Sequence, residues 1–160
     1  TCALPICGSA LIDAVAILQQ LGKIGMFGEI LSGEDHVSIF KNIHLTQKDI
    51  NEFQLAKAAI AAGLEILTRA LSKNISDIAE LYIAGGFGNY INVDHVVSTG
   101  MIEMDKERIH KFGNTALIGA KMFLFSGPGT GDDILKITQH INLESDKDFQ
   151  DIYVDKMLFL

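Results

Sequence analysis

The sequence predicts one α/β domain that is rich in helices and contains a small mixed sheet. Its 160 residues fall within the usual size of a single domain, and 48% of them are apolar against 21% charged. Long stretches with helical spacing of apolar residues alternate with short apolar runs bounded by glycine, which is the pattern of helices alternating with strands. No repeat or linker divides the chain, so residues 1–160 are expected to form one compact unit.

The charge and hydropathy of the chain exclude several classes of partner. Thirteen basic residues against 20 acidic ones leave a net charge of −7, the wrong sign for binding phosphates of nucleic acid or an anionic membrane. No apolar run approaches the roughly 18–20 residues that span a bilayer, and residues 1–5 lack the basic start of a signal peptide. We therefore expect a cytoplasmic protein. The chain begins without Met, so we expect that residues precede it in a longer protein.

The first third of the chain predicts a helix followed by a hairpin. Ser9 is placed to cap a helix that continues through an apolar run and ends at Gly22. Residues 23–36 carry three glycines and predict a loop or a short hairpin, and residues 37–40 and 43–45 alternate like strands. Thr46 and Asp49 have the spacing of a capping box, so a second helix should begin there.

The second helix is predicted to be central, with apolar residues around much of its circumference between residues 53 and 73. Its polar residues form one narrow stripe at three- and four-residue steps: Gln54, Lys57, Glu65, Thr68 and Ser72, with Ala61 between them. Such a stripe faces either a ligand or water. Composition alone favours water, because most polar stripes are solvated faces.

The second half of the chain predicts two strands separated and followed by helices. An apolar run at residues 81–84 leads into Gly85-Gly86, the pattern of a buried strand before a turn. The elements expected after it are a short helix from Asn92 to Val97, a strand at 109–112, a helix at 115–125 capped by Asn114, a helix from 132 to about 141, and a last helix starting within 145–148.

Two glycine-rich segments invite a nucleotide interpretation, and the first fails on its chemistry. Residues 127–131 resemble the end of a P-loop, but Asp132 and Asp133 follow them. These acids stand where a P-loop has its phosphate-binding lysine and its metal-binding hydroxyl, and they would repel a triphosphate. A turn followed by acids at a helix N-terminus accounts for this segment.

The second segment, Gly86-Phe87-Gly88, follows a predicted strand as in a dinucleotide-binding fingerprint, with Asp105 and Glu107 about twenty residues further on. The third glycine is missing and the next helix starts late, so an NAD site is the weaker interpretation. Gly85, Gly86 and Gly88 would in any case let the backbone approach a ligand closely. A structural turn that needs positive φ is the alternative.

The sequence offers no metal set and no catalytic constellation. Cys2 and Cys7 are the only cysteines, too few for a zinc site or an iron–sulfur cluster, and they are expected to be free thiols. Cys7 is expected to be buried rather than a nucleophile, because no histidine base is readable beside it. Asp13 and the Asp94-His95 pair have no recognisable partner, so we assign no catalytic residue and no metal ligand.

Five segments taken in order resemble the reductive activators of corrinoid proteins. They are Ile6-Cys7-Gly8-Ser9-Ala10-Leu11-Ile12-Asp13, Thr46-Gln47-Lys48-Asp49-Ile50, Gln54-Leu55-Ala56-Lys57-Ala58-Ala59-Ile60, Ala84-Gly85-Gly86-Phe87-Gly88-Asn89-Tyr90 and Gly113-Asn114-Thr115-Ala116. The likeness extends to residues 146–149 and 157–159.

The resemblance implies a fold, an activity and partners. It implies a partial actin-like, ribonuclease H-like ATPase lobe that forms the C-terminal fragment of a longer ATPase domain. The intact protein would hydrolyse ATP, held with Mg, to drive reduction of a cobalt(II) corrinoid to cobalt(I), and the fragment alone would be inactive. The implied partners are ATP and a corrinoid protein or corrinoid-dependent methyltransferase. An apolar surface left by the missing part makes a homodimer a further expectation.

The resemblance also implies a binding site for the adenosine side of ATP. The residues carried over are Gly85, Gly86, Phe87, Gly88 and Asn89 of the adenosine motif, Gln54 and Lys57 at helix positions that touch adenine and ribose, and Gly8 and Ser9.

Some features of the family are missing from these residues. No Asp-x-Gly-Thr phosphate loop is present, Ala10 replaces the glycine that usually follows the Gly-Ser pair, and the cluster cysteines are absent. The iron–sulfur cluster is therefore expected outside this fragment. Two rival interpretations stay open: a module that docks a corrinoid protein without binding nucleotide, and a Rossmann-like NAD-binding domain.

Overall fold

The computed structural model describes residues 6–127, 129 and 131–160, without the side chain of Phe87. Within them lie six α-helices and four strands: α1 (Gly8–Gln20), β1 (His36–Phe40), β2 (Ile43–Thr46), α2 (Gln47–Ala70), β3 (Leu81–Ile83), α3 (Val93–Ser98), β4 (Ile109–Lys111), α4 (Thr115–Ser126), α5 (Asp132–Ile137) and α6 (Phe149–Asp155). The prediction of a helix-rich α/β domain is confirmed.

The strands form two separate two-stranded sheets. Strands β1 and β2 make an antiparallel hairpin, in which Val37 pairs with Leu45. Strands β3 and β4 run parallel, with Tyr82 opposite His110, and α3 lies in the connection between them. Parallel pairing requires such a crossover, since a tight turn cannot return the chain in the same direction. The carboxyl ends of β3 and β4 therefore lie side by side.

Helix α2 is the longest element and begins where the capping box predicts. The Thr46 hydroxyl accepts a hydrogen bond from the Asp49 backbone N–H at 3.2 Å, and the Asp49 carboxylate accepts from the Thr46 N–H at 2.9 Å. Both polar groups thus satisfy orphan donors of the first turn. The helix ends at Ala70, earlier than predicted, and Ser72 lies beyond it with φ of 56°.

The main core joins α1, the β1–β2 hairpin, α2, α3 and the last residues of the chain. Its fully buried members are Val15, Leu45, Ile50 and Val96, at 0% exposure. A smaller cluster joins α2 to α6 through Ala62, Ile66 and Ile152. Because α2 contributes to both clusters, it is the element about which the described residues pack.

Several predicted boundaries differ from the structure. Helix α5 ends at Ile137 rather than about residue 141, and α6 begins at Phe149, after a 3-10 turn at Leu143–Ser145. Residues 23–35 form turns with a single bridge between Ile24 and Ile30, and His36 already belongs to β1. The glycine-rich segment at 127–131 includes Pro128 and Thr130, which lie outside the described residues, as does Cys2.

Candidate functional site

The glycine turn after β3, residues 85–89, has no space for a side chain at Gly88 but open space at Gly85 and Gly86. Gly85 has φ of +98°, a conformation that side chains rarely adopt, and its N–H donates to Gly113 O at 2.6 Å. A Cβ on Gly88 would lie 2.8 Å from Ile83 O, so only glycine fits there. A Cβ on Gly85 or Gly86 would meet no atom within 4 Å. Backbone surface is therefore exposed at the two positions where a ligand could approach.

A second loop meets this turn at the same edge of the sheet. Gly113 follows β4 with φ of +68°, and Asn114 caps α4 by accepting a hydrogen bond from the Leu117 N–H at 3.2 Å. A Cβ on Gly113 would lie 3.4 Å from Oδ1 of Asn89. In open α/β sheets, ligands bind outside the carboxyl ends of parallel strands. The turn and this loop together make the corresponding edge here.

Gly8 and Ser9 lie in the first turn of α1, and Ser9 is not the residue that caps it. The N-cap is Cys7, and no side chain caps the helix. The prediction that Ser9 caps it is wrong, because the N-cap position lies two residues earlier, at Cys7. Ser9 is instead buried inside the helix, with its Oγ 3.2 Å from Cys7 Sγ.

Cys7 is an exposed free thiol, so the prediction that it is buried is also wrong. Its pKa lies below the ordinary value of a thiol, because the Ser9 hydroxyl and then the Ala10 backbone N–H stabilise the thiolate. The cause is local, since both partners belong to the first turn of α1, directly after Cys7.

Three members of the polar stripe of α2 are buried, so the expectation of a solvated face is wrong for them, whereas Glu65 is half-buried and Ser72 is exposed beyond the helix. Gln54 is 8% exposed, Lys57 1% and Thr68 6%. Gln54 Nε2 donates to Phe27 O and to Met157 O, both at 3.1 Å. Lys57 Nζ donates to Leu158 O and lies 5.3 Å from the centroid of the Phe159 ring. Gln54 and Lys57 thus donate their hydrogen bonds to backbone carbonyls of the chain rather than to water.

Burial lowers the pKa of Lys57 to about 8, because the ammonium loses its hydration. The carboxylate of Glu103 raises it again in part, and the neighbouring ammonium of Lys156 lowers it further. Lys156 itself bridges Glu103 at 2.6 Å and Glu65 at 3.2 Å. The cation of Lys57 is therefore held by a carbonyl and an aromatic ring rather than by a direct ion pair.

The structure pairs two groups that the sequence left without partners. Nδ1 of His95 in α3 lies 2.6 Å from Oδ1 of Asp13 in α1. They are 82 residues apart, and only the packing of α1 against α3 brings them together. The one sequence signal was an acid in an otherwise apolar helix. The pair ties the helix that follows the glycine turn to α1.

The predicted site residues thus fall into three groups. Gly85, Gly86, Gly88 and Asn89 share the edge of the parallel strands, as does the backbone of Phe87, whose side chain lies outside the described residues. Gly8 and Ser9 start α1, and Gln54 and Lys57 face the chain's last residues. No hydrogen bond in the described part of the chain connects these three groups.

The open side of the glycine turn has room for part of a ligand. The open backbone at Gly85 and Gly86 leaves room for a planar group. No group of three or more His, Cys, Asp or Glu among the residues described is placed to hold a metal ion. Nor is any described helix long and apolar enough to cross a membrane.

Comparison with protein families distinguishes the actin-like from the Rossmann-like interpretation of the sequence. The model for the C-terminal domain of RACo, the ASKHA domain, matches residues 2–160. This chain belongs to that family. Its fold is accordingly an actin-like ASKHA domain, and the Rossmann interpretation is replaced by this assignment.

Individual relatives agree with the family assignment. The corrinoid activation enzyme RamQ of Eubacterium limosum is 32% identical over 182 aligned positions, which cover 96% of this chain. The [Co(II) methylated amine-specific corrinoid protein] reductase of Methanosarcina barkeri is 24% identical over 98% of the chain. A solved structure, the reductive activator for corrinoid,iron-sulfur protein, superposes with a TM-score of 0.84 over 96% of the chain at 27% identity.

The relatives are much longer than this chain. It spans 31% of RamQ, 29% of the Methanosarcina protein and 28% of the solved activator. The resemblance to corrinoid activators stated from the sequence is confirmed at the level of the family. Because the chain covers only about a third of each relative, the activity of the longer proteins is attributed to this chain only as a proposal.

Proposed function

We propose that this chain is the part of an ATP-dependent reductive activator that binds the adenosine side of ATP. The glycine turn carries the proposal: Gly88 is closed by packing, while Gly85 and Gly86 leave bare backbone at the carboxyl ends of parallel strands. Gln54, Lys57, Gly8 and Ser9 complete the proposed site by resemblance. The similarity to corrinoid activators supplies the reaction class.

In this proposal the chain binds and orients, and it carries no catalytic residue. ATP bound with Mg supplies the free energy that drives an unfavourable electron transfer to cobalt(II) in a corrinoid protein, giving cobalt(I). The turn would stack its exposed backbone against adenosine, and Asn89, beside Gly113, would offer an amide to its polar edge. The electron carrier, an iron–sulfur cluster, would belong to another part of the activator. We place this activity in the cytoplasm.

An amide NMR titration of the chain with Mg-ATP and, separately, with NAD tests the nucleotide proposal. Selective ATP shifts at residues 85–89 are the expected result. The matched variants are Gly86→Gln, which fills the open space at the turn, and Gly119→Gln, an open glycine on α4. Only the first should weaken the ATP shifts. Absence of any shift in the unmodified chain and in a chain extended by the remaining activator sequence would refute the proposal.

A second candidate function is a docking module for a corrinoid protein that needs no nucleotide. It is favoured by nine large apolar side chains on α4 and α5 that are 53–84% exposed, more than a monomer usually leaves open. They are Leu117, Ile118, Met122, Phe123, Leu124, Phe125, Ile134, Leu135 and Ile137. Capture of a purified corrinoid protein by nucleotide-free chain, lost in Leu124→Gln, would support it. A doubled mass in solution would instead indicate the homodimer.

A further inference from the structure

The last four residues form a strap, residues 157–160, that lies along one face of α2. Phe159 is 2% exposed, its ring stacks on Phe53 with centroids 6.1 Å apart, and its N–H donates to Met26 O at 3.0 Å. Leu160 packs against Gly100, since a Cβ built on Gly100 would lie 3.1 Å from Cγ of Leu160. The strap is therefore anchored at a side chain, a backbone group and its last residue.

The same strap occupies the two α2 residues assigned to the nucleotide. Gln54 donates to Met157 O, and Lys57 donates to Leu158 O while facing the Phe159 ring. Lys57 is 1% exposed, and a Cβ on Gly100 would lie 3.1 Å from its Nζ. With the strap closed, neither side chain has access to a ligand in solution. Their contact with adenosine requires the strap to leave.

We propose that the strap gates the nucleotide site: its closed position covers Gln54 and Lys57, and ATP binding to these residues is coupled to strap opening. The inference rests on the proposed function. When the binding-competent state is only a fraction of the population, the apparent dissociation constant rises by the inverse of that fraction. The strap therefore lowers ATP affinity, and ATP in turn opens the strap.

Amide hydrogen exchange measures the opening directly. Mg-ATP should accelerate exchange at the Phe159 N–H, whose partner is Met26 O, by tenfold or more. The control is the Lys156 N–H, which donates to Ile152 O at 2.9 Å at the C-terminal end of α6 and should keep its rate. ATP shifts at residues 85–89 without faster exchange at Phe159 would overturn the gate and leave the nucleotide proposal standing.

A reversible lock tests the gate from the other side. Met26 and Leu160 line one cavity of about 280 Å³, so Met26→Cys with Leu160→Cys, in a Cys2→Ser and Cys7→Ser background, is a candidate disulfide across the strap. Loss of both free thiols on oxidation shows that the bond has formed. Oxidation should weaken ATP binding at least tenfold and reduction should restore it, whereas the Met26→Cys variant alone should be insensitive. Equal affinity in both redox states overturns the gate. No binding in either state refutes the nucleotide proposal itself.

Discussion

Helix α2 and the α4–α5 pair reverse what their compositions suggest. Helix α2 carries charged and amide groups, yet Gln54 and Lys57 are buried against the strap. Helix α4 has one charged residue, Lys121, yet none of its side chains is buried. Gln54 and Lys57 can be buried because backbone carbonyls accept their hydrogen bonds. The apolar side chains of α4 and α5 are exposed because no described element packs on them. The two regions differ in their partners more than in their residue types.

Removing a phenyl ring from each region should give the largest contrast. Phe159→Ala should lower the free energy of unfolding by about 3–5 kcal/mol, because it empties a buried, stacked position. Phe125→Ala, at a side chain 84% exposed, should change it by less than about 0.5 kcal/mol. Urea unfolding of the two variants measures both. Equal losses would show that α4 packs as tightly as the strap.

Removing a lysine from each region should give a smaller contrast. Lys57→Ala should cost about 2–4 kcal/mol, because it empties the space of a buried stem and leaves the Leu158 carbonyl without its donor. Lys121→Ala, on the exposed α4, is the control and should cost less than about 0.5 kcal/mol. Lys57→Met keeps most of the stem and should lose less than alanine does. Similar stability of Lys57→Ala and the unmodified chain in urea would place Lys57 outside the packed interior.

Stability should rise with pH above neutrality because of Lys57. Its pKa is about 8 in the folded chain against the ordinary lysine value of 10.5, so the unfolded state binds more protons between these values. The free energy of unfolding should therefore increase by about 2 kcal/mol between pH 8 and pH 10. Well below pH 8 the lysine is protonated in both states, so its burial lowers stability by a constant amount there. Lys57→Met should flatten the rise, and an identical pH profile in that variant would assign the effect to other groups.

The helix caps should give the smallest effects. Thr46→Ala removes the capping box of α2 and should lower the free energy of unfolding by about 1 kcal/mol, since α2 belongs to the core. Asn114→Ala removes the corresponding bond at α4 and should leave global unfolding within about 0.5 kcal/mol while amide exchange in α4 accelerates. Global destabilisation by Asn114→Ala as large as that by Thr46→Ala would show that α4 unfolds together with the core.

Local signals predicted the elements well where a side chain bonds its own neighbourhood. The caps by Thr46, Asn92 and Asn114 are confirmed, because each depends on groups two or three residues away. The glycine turn after β3 is confirmed for the same reason. Its role in binding stays a prediction, as do those of Gly8, Ser9, Gln54 and Lys57.

Long-range contacts could not be predicted in the same way. The Asp13–His95 pair joins residues 82 apart, and the bond from Gln54 to Met157 spans 103. Periodicity predicted that α2 has a polar stripe but not what faces it. The same limit applies to α4, whose apolar residues resemble those of a buried helix although the described residues leave them exposed.

By itself, the sequence determined the helix-rich α/β class, the principal caps and turns, and membership of the corrinoid activator family, because these depend on short segments and their order. Only the tertiary structure decided that Lys57 and Gln54 bind the strap, that Cys7 is exposed, and that His95 meets Asp13. Burial and pairing are set by which distant segments fold against a side chain. No local pattern of residues specifies that neighbour.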